Sequence, residues 1–168
     1  AGKGTELVEL AEELGDEQGR LRCETVHAIS YIVEGDFDNG EAIARMVLDD
    51  ATLSRNRYYQ ARALNMLGEI ARKGGDRSAA REYYDRARSA FEACGSGEGT
   101  VPALNAAIVT ASDGEYREAQ RRFERVFEQV AEAEVFSSYV YLGFCLCAAG
   151  QSDWQQWDTN IERARDNL

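Results

Sequence analysis

The sequence predicts an all-α, right-handed solenoid of helix-turn-helix repeats, and three observations carry that prediction. A glycine-centred pattern recurs at Gly35 (VEGDF), Gly75 (KGGDR), Gly114 (SDGEY) and Gly150 (AAGQS), at intervals of 40, 39 and 36 residues. A fixed period of this size marks stacked supersecondary units. Small residues stand seven places before each glycine (Ala28, Gly68, Ala107, Gly143) and five places after the first three (Gly40, Ala80, Ala119). Finally, there is only one proline in 168 residues, and Ala, Glu, Arg and Leu dominate many stretches. Long helices are therefore allowed almost everywhere.

Taken in order, the chain opens with an amphipathic helix, Glu6 to Leu14 (ELVELAEEL), ending at Gly15 with Asp16 as the next cap. It reads as the second helix of a pair whose first helix is missing. The chain also opens without an initiator Met, which suggests a processed chain or an excised fragment. The missing first helix leads to the expectation that it was cut from a longer protein. The next unit runs from about Arg22 to Ala51 around Gly35. In the unit around Gly75, Leu64, Leu67 and Ala71 share one helical face before the turn. Ala80, Tyr84, Ala87 and Phe91 share one after it. Gly75 suits the left-handed residue that ends a helix, and Asp76 can cap the next one. Around Gly114, Ala119, Phe123 and Val126 repeat the spacing of Ala80, Tyr84 and Ala87.

Small residues at Gly68, Gly143, Ala80 and Ala119 let paired helices approach, with Tyr84 and Phe123 filling the space beside them. The last unit departs. Gln155, Thr159 and Glu162 hold the expected apolar positions after Gly150, and the stripe reads Trp154, Trp157, Ile161 and Ala164 instead. Two tryptophans there are expected to close the core of a terminal, capping repeat. The expected organisation is one domain, 1–168, with a half repeat at about 4–15 and repeats at about 21–54, 61–94, 100–133 and 136–168.

The stretch LNMLGEIARKGGDRSAAREYYDRA resembles the tetratricopeptide repeat through Leu64, Leu67, Gly68, Gly75, Ala80, Tyr84 and Ala87. That family's unit is about 34 residues, with a Leu-Gly pair, a turn glycine, a small residue and an aromatic at set offsets. The likeness covers nearly the whole chain and is strongest in the second and third units. The proline that often ends the family's unit is absent, with Glu92 near its place. Longer second helices and longer inter-repeat turns are expected from that. The phrasing is also similar to repeat arrays of large bacterial signalling proteins, either Ser/Thr kinases or transcriptional activators. No kinase motif lies in the chain.

The resemblance implies that the first helix of each unit lines a concave partner-binding groove. The matching residues are Arg22, Thr25 and Ile29 in the first unit, and Arg62, Asn65, Glu69, Arg72 and Lys73 in the second. Val101, Leu104 and Ile108, with Asn105 adjacent, match in the third, and Ser137, Val140 and Phe144 in the fourth. The cluster Arg62, Arg72 and Lys73 could receive an acidic or carboxylate-bearing segment, with Asn65 adding a hydrogen bond. The bland alternative is a solvated helix face paired with Glu69. Some family members clamp a carboxylate with basic and Asn residues spread over three units. Thr25 and Ile29 stand at the first-unit places, so that activity is not expected.

A net charge of −11, from 19 basic and 30 acidic residues, argues against nucleic acid and anionic membranes as partners. The longest apolar run, Tyr139 to Ala149, is interrupted by Gly143 and is too short to cross a bilayer. Cys23, Cys94, Cys145 and Cys147 permit disulfides by count, but a helical chain of this size does without staples. Free buried cysteines in a reducing cytoplasm are the expectation. His27, the only histidine, is read as a packed, hydrogen-bonded core residue, because one histidine cannot supply a metal shell. The glycine-rich CGSGEGT, residues 94–100, follows a helix and lacks the lysine of a phosphate loop. It is read as a flexible inter-repeat turn, with Thr100 capping the next helix and Pro102 in its first turn.

Nothing assembles a nucleophile, a base and an oxyanion site. The expected function is a non-catalytic protein-protein interaction scaffold, needing no cofactor or metal and binding a protein or peptide. The alternative is a regulatory module sensing a peptide or small ligand. The oligomeric state is left open. Gly68→Leu is expected to destabilise the fold, and charge reversal at Arg62 and Arg72 to weaken an acidic partner.

Overall fold

The computed structural model describes residues 2–130 and 134–166, all helical or in short turns. The ends of the third and fourth expected repeats, 131–133 and 167–168, lie outside the described residues. The helices are α1 (Gly2–Glu13), α2 (Glu17–Glu34), α3 (Phe37–Leu53), α4 (Arg57–Lys73), α5 (Arg77–Ala93), α6 (Thr100–Ser112), α7 (Tyr116–Val130), α8 (Glu134–Gly150) and α9 (Trp154–Asp166). A 3-10 turn, Gly97–Gly99, precedes α6. The all-α class and the helix-pair repeat are as the sequence predicts. The chain divides into two compact units, Ala1–Gly99 and Thr100–Leu168.

The period has a simpler origin than a repeat with long connections. Left-handed residues end the turns at Gly15, Gly35, Arg55, Gly75, Gly95 and Gly114, one every 20 residues and then 19. In four of these turns the next residue is Asp or Asn, whose side chain accepts a hydrogen bond from a backbone N–H three residues on. Asp16 caps Gly19, Asp36 caps Asn39, Asn56 caps Tyr59 and Asp76 caps Ala79. Such caps contribute about 0.5–2 kcal/mol each. Helices of 17 residues (α3, α4 and α5) joined by three-residue turns account for the 40-residue period. The length expected of second helices is not confined to them, because the first helices α2 and α4 run to 18 and 17 residues as well. The turn between pairs at 54–56 is as short as the one within a pair at 74–76, which departs from the expectation of longer inter-repeat turns. The connection at 94–99, in contrast, is six residues long and agrees with it.

The fourth turn moves. Its left-handed residue is Ser152, with φ 58°, and Asp153 caps Gln156 at 3.0 Å. Gly150 is instead the last residue of α8, lying against the Tyr116 ring, where a Cβ would run into the ring carbons. With the marker moved two residues, Trp157, Ile161 and Ala164 take the places of Ala80, Tyr84 and Ala87. Trp154 drops out of the stripe. It is 61% exposed and meets Trp157 edge-on, so the expected closure of the core by both tryptophans does not occur.

In unit 1, α2 packs on α3, α3 on α4 and α4 on α5, and the first helices α2 and α4 also touch. Leu21, Ala28, Ile32, Ala44, Val47, Ala63, Met66, Leu67 and Ile70 form one buried cluster. Unit 2 repeats the scheme, with α6 touching α8 and a core of Leu104, Ala107, Phe123, Val126, Val140 and Cys147 among others. The expected stripes Ala80, Tyr84, Ala87, Phe91 and Ala119, Phe123, Val126 are buried. Gly68 lies under the Tyr84 ring, and Gly143 lies under the Phe123 ring.

Two positions of the first pair carry polar groups where the second pair has Leu64 and Leu67. His27 is half-buried against the Tyr31 ring, centroids 4.9 Å apart. Its Nε2 is buried without a hydrogen-bond partner, so the expected hydrogen bond to that nitrogen is not made. Glu24 is 3% exposed. Its Oε1 accepts from Arg20, which also reaches Asp50 at 2.8 Å, while Oε2 is unpartnered. Burial pushes the Glu24 carboxyl up, only partly offset by Arg20. A carboxyl raised in the folded state stabilises below its unfolded pKa, and that contribution is lost as pH rises through its folded pKa. Glu24→Gln is therefore expected to be more stable than the parent at about pH 7, with the gap closing as the solution is acidified toward the carboxylate range. Urea midpoints measured across that range check it, and a constant gap would contradict it.

Candidate protein-interaction surface

About half of α4 is buried, and Arg57, Tyr59 and Ala71 are left partly or fully open. Gln60, Ala61, Ala63, Leu64, Met66, Leu67, Gly68 and Ile70 are buried. Away from these three runs one stripe, Tyr58, Arg62, Asn65 and Glu69 half-buried and Arg72 exposed, with Lys73 beside it. The spacing of three and four residues keeps these on one face.

The stripe holds two arrangements. At its start, Tyr58 donates its hydroxyl to Glu98 Oε1 at 2.7 Å. Arg62 Nη1 reaches Glu98 Oε2 at 3.3 Å and the Tyr58 oxygen at 3.4 Å. The Arg62 guanidinium also stands 6.0 Å from the Tyr58 ring centroid, and that ring meets Phe91 edge-on at 5.8 Å. The Glu98 hydrogen bond, helped by burial, pushes the Tyr58 phenol up. At the other end, Glu69 accepts from Arg72 Nη2 at 2.8 Å and from the Tyr84 hydroxyl. Burial alone would raise the Glu69 carboxyl, but Arg72 and Tyr84 outweigh it and hold it low. Tyr84 is pushed up, by burial first and Glu69 second.

Residues named from the sequence for a groove thus separate. Arg22 and Ile29 are exposed on α2, and Arg72 and Lys73 on α4. Lys73 Nζ stands 5.8 Å from the Phe37 ring centroid. Asn65 Oδ1 is buried with no hydrogen-bond partner. Thr25 is buried, its hydroxyl donating to the Leu21 carbonyl at 2.7 Å. In unit 2, Ile108 is exposed and Asn105 and Phe144 are half-buried, whereas Leu104 and Val140 belong to the core. Thr25, Leu104 and Val140 are corrected accordingly, because each packs inward with the neighbouring helices. Ser137 is buried too, and its hydroxyl donates to the Val130 carbonyl at 3.4 Å.

The fourth-unit assignments miss the surface for the same reason as the turn. Moving the register by two residues replaces Ser137, Val140 and Phe144 with Tyr139, Leu142 and Leu146. These are 57%, 47% and 41% exposed. The stripe on α8 is therefore apolar, and Val101 and Ile108 of α6 in the same unit are exposed as well.

Glu98 also eluded the sequence. The stretch 94–100, read as a flexible turn, holds a 3-10 turn with Gly99 buried against Phe91. Thr100 begins α6, and Pro102 lies in its first turn. An acid between two glycines, 36 residues after an arginine, is a pairing that only the fold reveals.

The thiols are free. Burial pushes Cys147 up to about 11 and raises Cys145 as well, so neither is held as a nucleophilic thiolate. Among the described residues no group of His, Cys, Asp and Glu could hold a metal ion. Among the described residues no helix is long and apolar enough to cross a membrane.

No family model matches the sequence, and no curated protein matches it. Solved structures do match. BtubC (BKLC) from P. vanneervenii has a TM-score of 0.86 at 18% identity, covering 98% of this chain and 70% of that one. A putative kinesin light chain of Podospora anserina, described as having nearly identical TPR-like repeats, gives 0.72 at 15% identity, covering 99% and 87%. A second structure of it gives 0.70 at 15% identity with the same coverage. At these identities the likeness is one of fold. The chain has a TPR-like repeat fold.

Proposed function

We propose that this chain is a non-catalytic scaffold that binds a protein segment along the exposed stripes of its first helices, and that the α4 stripe takes an acidic segment. The observation that carries this is the Tyr58–Arg62 pair, which already grips a carboxylate with a hydroxyl donor and a guanidinium side by side. Charge-assisted hydrogen bonds of this kind are among the stronger ones. The apolar stripe Tyr139, Leu142 and Leu146 offers unit 2 a hydrophobic contact of its own. The likeness of the repeat phrasing to arrays of large bacterial signalling proteins supports a place as one module of such a protein, acting in the cytoplasm.

The two arginines call for different tests. Arg72 braces half-buried Glu69, which in turn holds Tyr84. Arg72→Glu would set two carboxylates together beside a buried ring, so lost binding could reflect lost packing. Arg62→Glu is the cleaner variant, because its partner Glu98 is exposed. It is expected to weaken binding of a fluorescein-labelled oligoglutamate peptide by tenfold or more, roughly the weight of a charge-assisted hydrogen bond, with an unchanged helical circular-dichroism spectrum. Unchanged affinity would remove the acidic segment from the proposal. Leu142→Glu tests the other stripe by the same spectrum and by loss of proteins retained on the immobilised chain.

A further inference from the structure

We infer that Glu98 is a built-in occupant of the α4 carboxylate site, so that an acidic partner binds by displacing it. The inference rests on the acidic-segment reading above and concerns how that site is regulated. Both oxygens of Glu98 are engaged, Oε1 by the Tyr58 hydroxyl at 2.7 Å and Oε2 by Arg62 at 3.3 Å. These are the groups an incoming carboxylate would use. A partner therefore meets a site that is already filled.

The two carboxylates of the stripe are not equally easy to replace. Glu69 lies within α4 itself and receives the hydroxyl of fully buried Tyr84 as well as Arg72. Removing it would break a packed network. Glu98 is exposed, sits between Gly97 and Gly99, and belongs to a single 3-10 turn. Its ion pair with Arg62 is partly open to solvent on both sides. Pairs of that kind contribute little, a cost that a partner with several acids exceeds. The contact thus lowers the affinity of a single carboxylate a few-fold and yields to a multivalent acidic segment.

Glu98→Gln keeps the size of the side chain and removes its charge. With the labelled oligoglutamate peptide, followed by fluorescence anisotropy on the full chain, it is expected to tighten binding about two- to fivefold, the range an exposed ion pair contributes. Arg62→Gln is expected to weaken binding both alone and when combined with Glu98→Gln. Tightening by Glu98→Gln that disappears in the double variant supports the displacement. Binding that depends on Arg62 but is left unchanged by Glu98→Gln would overturn it and leave the acidic-segment reading standing. Binding that ignores Arg62, or that none of the proteins shows, overturns that reading and the displacement with it.

Discussion

Phe123→Ala is expected to cost the chain about 3–5 kcal/mol of folding stability, the usual range for a fully buried aromatic. Phe123 is completely covered in unit 2. It sits directly on Gly143, where a Cβ would run into the ring. Truncation therefore leaves a void with the bare backbone of Gly143 on one wall, beside the Phe144 ring that meets Phe123 edge-on. The cost of such a deletion grows with the cavity left behind, so this site belongs at the expensive end. The geometry also predicts a partial cure. Adding Gly143→Leu to Phe123→Ala returns side-chain volume from the opposite helix and is expected to recover part of the loss. Urea midpoints of the two variants and the parent decide it. A single-variant loss below about 1 kcal/mol would be that of an ordinary surface or peripheral site, and would refute the contact.

Gly68→Leu in unit 1 is expected to lose about 1–3 kcal/mol by overpacking. A Cβ at Gly68 would lie 2.7 Å from two carbons of the Tyr84 ring. That ring has little freedom to retreat, because it is fully buried and its hydroxyl donates to Glu69. Glu69 is one residue from Gly68 on the same helix, so the ring is pressed and tethered by neighbours in sequence. The clash and the tether should show as coupling. In a Tyr84→Ala background the added side chain has room, and the cost of Gly68→Leu is expected to shrink sharply. Additive effects in the double-mutant cycle would mean that the two residues do not share a contact.

The repeat was legible because its punctuation is chemical. Gly35, Gly75 and Gly114 hold the left-handed conformation that the sequence assigns them. The apolar positions that follow Gly75 and Gly114 face the core. Two of the seven left-handed positions among the described residues stayed hidden because Arg55 and Ser152 adopt the same conformation without being glycine. The caps were the better guide. Asp16, Asp36, Asn56 and Asp76 are evenly spaced by 20 residues, a regularity that glycine alone obscures. Gly150 misled for a physical reason, since a glycine also serves wherever a ring needs to lie on a helix backbone, here Tyr116. That single displacement moved the fourth-unit surface from Tyr139, Leu142 and Leu146 to residues of the core. Glu98 was out of reach for a different reason: its role depends on a contact across 36 and 40 residues, which no local pattern encodes.

The turns at Arg55 and Gly75 share one geometry, three residues long, left-handed, then capped by Asn or Asp, and the turn at Gly35 is the same motif one residue shorter. Nothing in them distinguishes a bend inside a pair from a bend between pairs. The turn is a neutral hinge, and pairing is written in the helix flanks, where a bare backbone meets a ring. Such a chain can lengthen or shorten by two helices without new connecting sequence. A change by one helix would leave every joint intact and yet set every later ring against the wrong flank.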